Sequence, residues 1–153
     1  MRISTKSRYG LRACQVLAEE YDPSDPQKPI ATPTIAERTA VTESYLEQII
    51  ILLKRAGIVE SVRGATGGYY LTRDPKDISL GEILRALEDG LEIVKCISAP
   101  CEDSAICKTR GVWTKIYNSI NNVLNSFSLQ DMLDENLFRE KLEIVLARVN
   151  PEL

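Results

Sequence analysis

Apolar residues recur at helical spacing along the first twenty positions. Tyr9, Leu11, Ala13, Val16, Leu17 and Ala18 form a stripe that runs to Glu20, with Ser4 or Thr5 where an N-cap belongs. The segment 22–29 then carries three prolines and two aspartates, which makes a loop. Thr32 to Arg38 predicts a short helix, with Thr32 at the cap and Pro33 at the first position. A turn at Thr39, Ala40 and Val41 leads into a longer helix that starts near Thr42 or Ser44. Ser44 and Glu47 have the spacing of a capping box, and Glu43 adds favourable charge at the helix start. Leu46, Ile49, Leu52, Leu53 and Ala56 share one side of this helix, and Gly57 stops it. A short helix, a turn and a longer helix are the layout of a helix-turn-helix.

The periodicity then changes from helical to alternating. Ile58 to Val62 reads as a strand, Arg63 to Gly68 as a turn and Tyr69 to Thr72 as a second strand. A β-hairpin after a helix-turn-helix is a wing, so the predicted fold is mainly α with a small β-hairpin wing. Arg63 stands at the hairpin tip, where a cation can enter a minor groove. The glycine-rich turn is no phosphate loop, because it lacks the lysine and leads into a strand.

Ser79 and Glu82 form a second capping box, for a helix through about Leu87. A long helix begins near Thr109. Val112, Trp113, Ile116, Tyr117, Ile120, Val123, Leu124 and Phe127 give it a broad apolar face. That face suits a dimer seam or packing against the body of the same chain. Ser128 starts a short helix, and Asp134 caps a last one through about Arg148. The organisation expected is a winged helix-turn-helix module over 1–90, with the helix-turn-helix at about 32–57 and the wing at about 58–72. A loop over 91–108 and a C-terminal dimerisation unit over 109–153 complete it.

Composition narrows the function. The 153 residues are 44% hydrophobic and 27% charged, the balance of a globular domain. The longest apolar run is Ile49 to Leu53, far short of the roughly 18 residues of a membrane span. The opening residues carry no apolar signal core, so a cytoplasmic location without membrane association is expected. Net charge is −3, but residues 1–76 sum to +2 and residues 77–153 to −5. Arg2, Lys6, Arg8 and Arg12 occupy the first twelve positions with no acid among them, and Arg2 and Lys6 are candidates for phosphate contact. The chain has no histidine, which removes Ser-His and Cys-His nucleophile arrangements and the usual general base, so no enzyme is expected.

The cysteines supply the remaining chemistry. Three of four, Cys96, Cys101 and Cys107, fall within twelve residues, with gaps of four and five between them. In a cytosolic chain such a cluster reads as metal or redox chemistry before structural disulfide. No Cys-x2-Cys pair of a zinc ribbon is present, and the wider gaps favour an iron–sulfur core over zinc. The alternatives are loop thiols that bind nothing or a pair that oxidises. The fourth, Cys14, lies on an apolar helix and suits a packed core thiol.

Taken in order, four motifs closely resemble the IscR-type regulators, the iron–sulfur-sensing branch of a bacterial winged-helix family that also includes NsrR, RirA and CymR. They are Met1 to Gly10, Ser44 to Gln48, Ser61 to Tyr69, and the three-cysteine loop leading to Val112 and Trp113. The resemblance covers residues 1 to about 130. It implies a homodimer on a palindromic double-stranded operator, and a cluster on the cysteine loop, most often 2Fe–2S, with 4Fe–4S the other form. It also implies control of iron–sulfur assembly genes. By the same resemblance Thr42, Ser44, Tyr45 and Gln48 match base-reading positions, Arg63 matches the wing arginine, and Glu47 matches a position that discriminates operator classes. One departure is plain: Arg110 stands where that branch has a histidine ligand, and Arg8 where other members have an acid. This leaves Cys14, Glu102, Asp103, a carboxylate brought in by the fold or by the partner chain, or a small external thiol for the fourth ligand. CymR-like members, which sense thiol oxidation or a protein partner, generally lack the three-cysteine loop.

Overall fold

The computed structural model describes residues 3–97, Ala99 and residues 107–149. The first helix, α1 (Thr5–Glu19), is capped by Ser4, whose hydroxyl accepts from the Ser7 amide at 3.1 Å. Its apolar side packs on α2 (Thr32–Thr39), α3 (Glu43–Arg55) and α4 (Leu80–Leu87). Gly10 lies at the crossing with α4, where a β-carbon would run into the Leu87 side chain. The core is filled by Ile35, Leu46, Ile49, Leu53, Ile58, Val59, Ile78, Ile83 and Leu87, all at most 1% exposed. Burial of this many branched side chains is what holds helices this short, since isolated helices below about 12–15 residues are marginal in water.

The turn between α2 and α3 is built without glycine. Thr39 donates its hydroxyl to the Ile35 carbonyl at 2.7 Å, and Ala40 takes φ 58°, in the left-handed region. Helix starts differ from the sequence expectation by one or two residues. Thr32 lies inside α2, whose N-cap is Ala31 with no side-chain cap. Thr42 caps α3, accepting from the Tyr45 amide at 3.3 Å, so Ser44 is already helical and its capping box does not form. The box at Ser79 and Glu82 does form.

The wing is the antiparallel pair β1 (Val59–Val62) and β2 (Gly68–Leu71), with Val59 opposite Leu71 and Val62 opposite Gly68. Ile30 bridges to Tyr69 on its other side, through bonds of 2.8 and 2.9 Å. Any side chain at Gly68 would meet the Ile30 backbone. The expected mainly helical winged-helix fold is therefore present.

Beyond the module lie α5 (Arg110–Ser126) and α6 (Glu135–Val149), with 3-10 turns at Lys95–Ile97 and Gln130–Leu133. The chain after α5 returns to the module: the Leu80 amide donates to the Phe127 carbonyl and the Leu129 amide to the Ile78 carbonyl, both at 2.9 Å. Asp131, 7% exposed, accepts from the Ser128 amide at 2.7 Å, the Ser128 hydroxyl at 2.8 Å and Lys141 Nζ at 2.5 Å, which ties α6 to this return. Asp134 caps α6, accepting from the Asn136 and Leu137 amides. Along α5 no residue is buried, and Val112 and Ile116 are 58% and 39% exposed. No described helix is long and apolar enough to cross a membrane.

Candidate nucleic-acid interface

The apolar positions of α3 dictate which side chains it offers outward. Leu46, Ile49, Ile50 and Leu53 are buried, which turns Ser44, Glu47, Gln48 and Ile51 to solvent. Thr42 and Glu43 are exposed at the helix start. The Thr42 oxygen serves the Tyr45 amide and leaves its own O–H to donate outward. Tyr45 is different: its ring is half-buried and meets Tyr9 edge-on at 6.1 Å, so it also braces α3 on α1.

Arg63 is exposed at the wing tip, and it shares a groove of about 520 Å³ with Glu43, Thr32 and Pro33. The helix-turn-helix and the wing therefore border one concave surface. Arg38, nearby in sequence, is already paired with Glu19 and Glu20. Arg63 and Lys6 have no such carboxylate bridge among the described residues. Arg2 lies outside the described residues.

A contact that sequence reasoning missed fixes the N-terminal end. Glu88, the residue after α4, accepts from the Ser4 amide at 2.7 Å. Partial burial alone would raise its pKa, but hydrogen bonds from Ser4 and Ser7 and the charge of Lys6 outweigh it and hold the carboxyl below its ordinary value. The two partners are 84 positions apart, and no local signal joins them.

Of the three loop cysteines, Cys96 and Cys107 are described and half-buried, and Cys101 lies outside the described residues with Glu102 and Asp103. Cys96 sits in the turn Lys95–Ile97, which packs against α5. Cys107 lies three residues before the start of α5, with its sulfur 3.4 Å from the Thr109 hydroxyl. The fold thus brings both ends of the loop to the same helix. Among the described residues no three His, Cys, Asp or Glu side chains gather as a metal site. The donor set of the loop, thiols without histidine, is nonetheless the soft chemistry an iron–sulfur cluster takes. Arg110 opens α5 and lines the same surface as Cys107, and a guanidinium cannot ligate. Cys14 is 0% exposed in the core, and burial pushes its thiol up to about 12, the environment of a packed core thiol.

Comparison with known proteins agrees with this geometry. Residues 3–135 match the model of the Rrf2 family, described as iron-dependent transcriptional regulators. The regulator CymR of Bacillus subtilis is 38% identical over 132 residues, covering 86% of this chain and 89% of its own. IscR of Photobacterium profundum is 34% identical over 141 residues, covering 92% of this chain and 80% of its own. The solved structure of T. potens IscR superposes with a TM-score of 0.66 at 43% identity, covering 87% of this chain and 86% of that one.

Proposed function

The chain belongs to the Rrf2 family of helix-turn-helix transcriptional regulators, and on that premise we propose that it is a homodimeric operator-binding regulator whose affinity follows an iron–sulfur cluster on its cysteine loop. The observation that carries the reading is that Cys96 lies in a turn packed against α5 and Cys107 lies just ahead of the same helix, on a chain similar to IscR. Cys96, Cys101 and Cys107 would hold the cluster, most simply a 2Fe–2S form. When bound, it supplies a redox- and iron-sensitive group that the protein's own side chains lack.

The chain's own residues do the rest. Gln48 offers an amide that can pair with adenine in both directions, and Ser44 and Thr42 offer hydroxyls that serve either role. Tyr45 adds a phenol at the edge of the same face. Glu47 selects among operators, because a carboxylate against DNA repels unless it meets a donor such as cytosine N4. Arg63 enters the minor groove beside the wing, and Arg2 and Lys6 neutralise phosphates. Two modules related by a dyad demand a palindromic operator. The exposed apolar side of α5 is the seam that joins them, so 1–90, 91–108 and 109–153 act as reader, sensor loop and dimerisation unit.

The similarity to CymR favours a second reading, in which loop thiols respond to oxidation, nitric oxide or a partner protein without a cluster. One experiment separates them. Protein purified without oxygen is examined by visible absorption, with iron and acid-labile sulfide assayed on the same sample. The proposal expects a brown protein whose operator affinity changes on chelation. A colourless protein that stays colourless after reconstitution, yet binds DNA, supports the thiol reading.

A further inference from the structure

The long helix α5 is joined to the winged-helix module at two places of different character. One is made of main chain: the bonds Leu80 to Phe127 and Leu129 to Ile78, with the Ser79–Ser128 bridge between them. The buried side chains of Phe127 and Leu129 back these bonds, so this joint is the fixed end of the helix and its pivot. At the other, where α4 packs along α5, the polar contact is made by one side chain of α4. Arg85 donates Nη1 to Asn121 Oδ1 at 3.3 Å and Nη2 to Asn125 Oδ1 at 2.7 Å. The two amides are one turn apart on α5, the spacing that a planar fork spans and a point charge cannot. Gly81 completes the joint, because a β-carbon there would overlap Asn125 Oδ1.

We propose that Arg85 is a positioning residue: by gripping Asn121 and Asn125 it sets the angle at which α5 leaves the module, and so the half-site separation the dimer accepts. The inference rests on the dimeric reading above. The geometry of a lever supports it. Asn121 lies about 10 Å along the helix from the pivot and Val112 about 24 Å, at 1.5 Å per residue. Slippage at the grip is therefore roughly doubled where the seam begins. A slip of about 1 Å at each grip shifts the far ends of the two α5 helices relative to their modules by about 4–5 Å in sum, more than the roughly 3.4 Å between base pairs. Within α5 the apolar side chains are at most half-buried, and none is sealed in the core. As a surface contact Arg85 adds little stability, so its effect falls on geometry and not on folding.

The test is selection of duplexes from a random-sequence library by wild type and by Arg85→Ala. Wild type is expected to recover inverted half-sites at one separation. The variant is expected to recover the same half-site sequence at separations spread by at least one base pair either way. An Asn121→Ala/Asn125→Ala double variant removes the grip from the α5 side and should give the same spread; it decides the matter if Arg85→Ala recovers no DNA. Separations as narrow as wild type would overturn the proposal, as would loss of the half-site sequence itself in both variants. A wild type that recovers no inverted repeat would overturn the dimeric reading and this inference with it.

Discussion

Ala40 is the one described residue other than glycine with positive φ, and it sits in the turn of the helix-turn-helix. The left-handed conformation costs an L-residue about 1–2 kcal/mol, whereas glycine's greater freedom in the unfolded chain costs about 0.5–1 kcal/mol. The first term is larger, so Ala40→Gly should stabilise the protein by about 0.5–1 kcal/mol, read as a higher urea midpoint at unchanged slope. The turn itself was legible from Thr39, Ala40 and Val41; the strain was not, because alanine signals helix and hides a left-handed turn. Gln48 makes the opposite kind of residue. It is exposed and bonded to nothing described, so Gln48→Ala should leave stability within about 0.5 kcal/mol. It should cost about 1–3 kcal/mol in binding to the operator and little on random DNA, measured by titration at fixed salt. Equal losses on both would remove it from base reading.

At the level of elements, local signals succeeded wherever the partner was local. The box at Ser79 and Glu82, the Asp134 cap and the wing alternation were all readable within a few residues. The start of α3 was readable only to within two, since Thr42 and Ser44 both fit a cap and the choice depends on how α2 delivers the chain. The link from Asp131 to Lys141 had no such signal, yet it fastens α6. Burial alone would raise the Asp131 pKa, but Lys141 and the Ser128 amide and hydroxyl outweigh it and hold the carboxyl below its ordinary value. A depressed folded-state pKa stabilises above the ordinary carboxylate range, and the contribution fades as pH falls through the lower folded value. Urea midpoints should therefore drop as pH falls from about 5 to below 4. Asp131→Asn should remove part of that drop, and only part, because Glu82 and Glu88 are lowered in the same way.

Most of the large apolar side chains that the molecule leaves exposed lie on its C-terminal helices, Val112 and Ile116 on α5 and Leu137, Ile144 and Leu146 on α6. On α5 the side that meets Arg85 is amide-rich, while Val112 and Ile116 stand exposed on the other. The breadth of that apolar face was plain in the sequence; whether the chain itself covered it was a tertiary question that periodicity does not answer. Ile116→Asp should give a folded monomer by sedimentation, since the position is 39% exposed in one chain. Operator affinity should fall by about 10²–10⁴-fold with the loss of bivalency, while weak binding to isolated half-sites remains. The candidate site was legible in the same uneven way. The outward residues of α3 followed from its inward ones, whereas Glu88 and Arg85, 84 and about 40 positions from their partners, did not.

Cys14 gives this arrangement a clock. With its sulfur sealed in the core and its thiol raised to about 12, it reacts with an alkylating reagent only when the core opens. Its labelling rate therefore counts unfolding events from inside the reader module, separately from any chemistry on the loop. Operator DNA that binds only the folded state should slow that rate by a factor of 1 + [DNA]/Kd. Mass spectrometry of the alkylated Cys14 peptide over time would then report affinity and global stability from one labelling series.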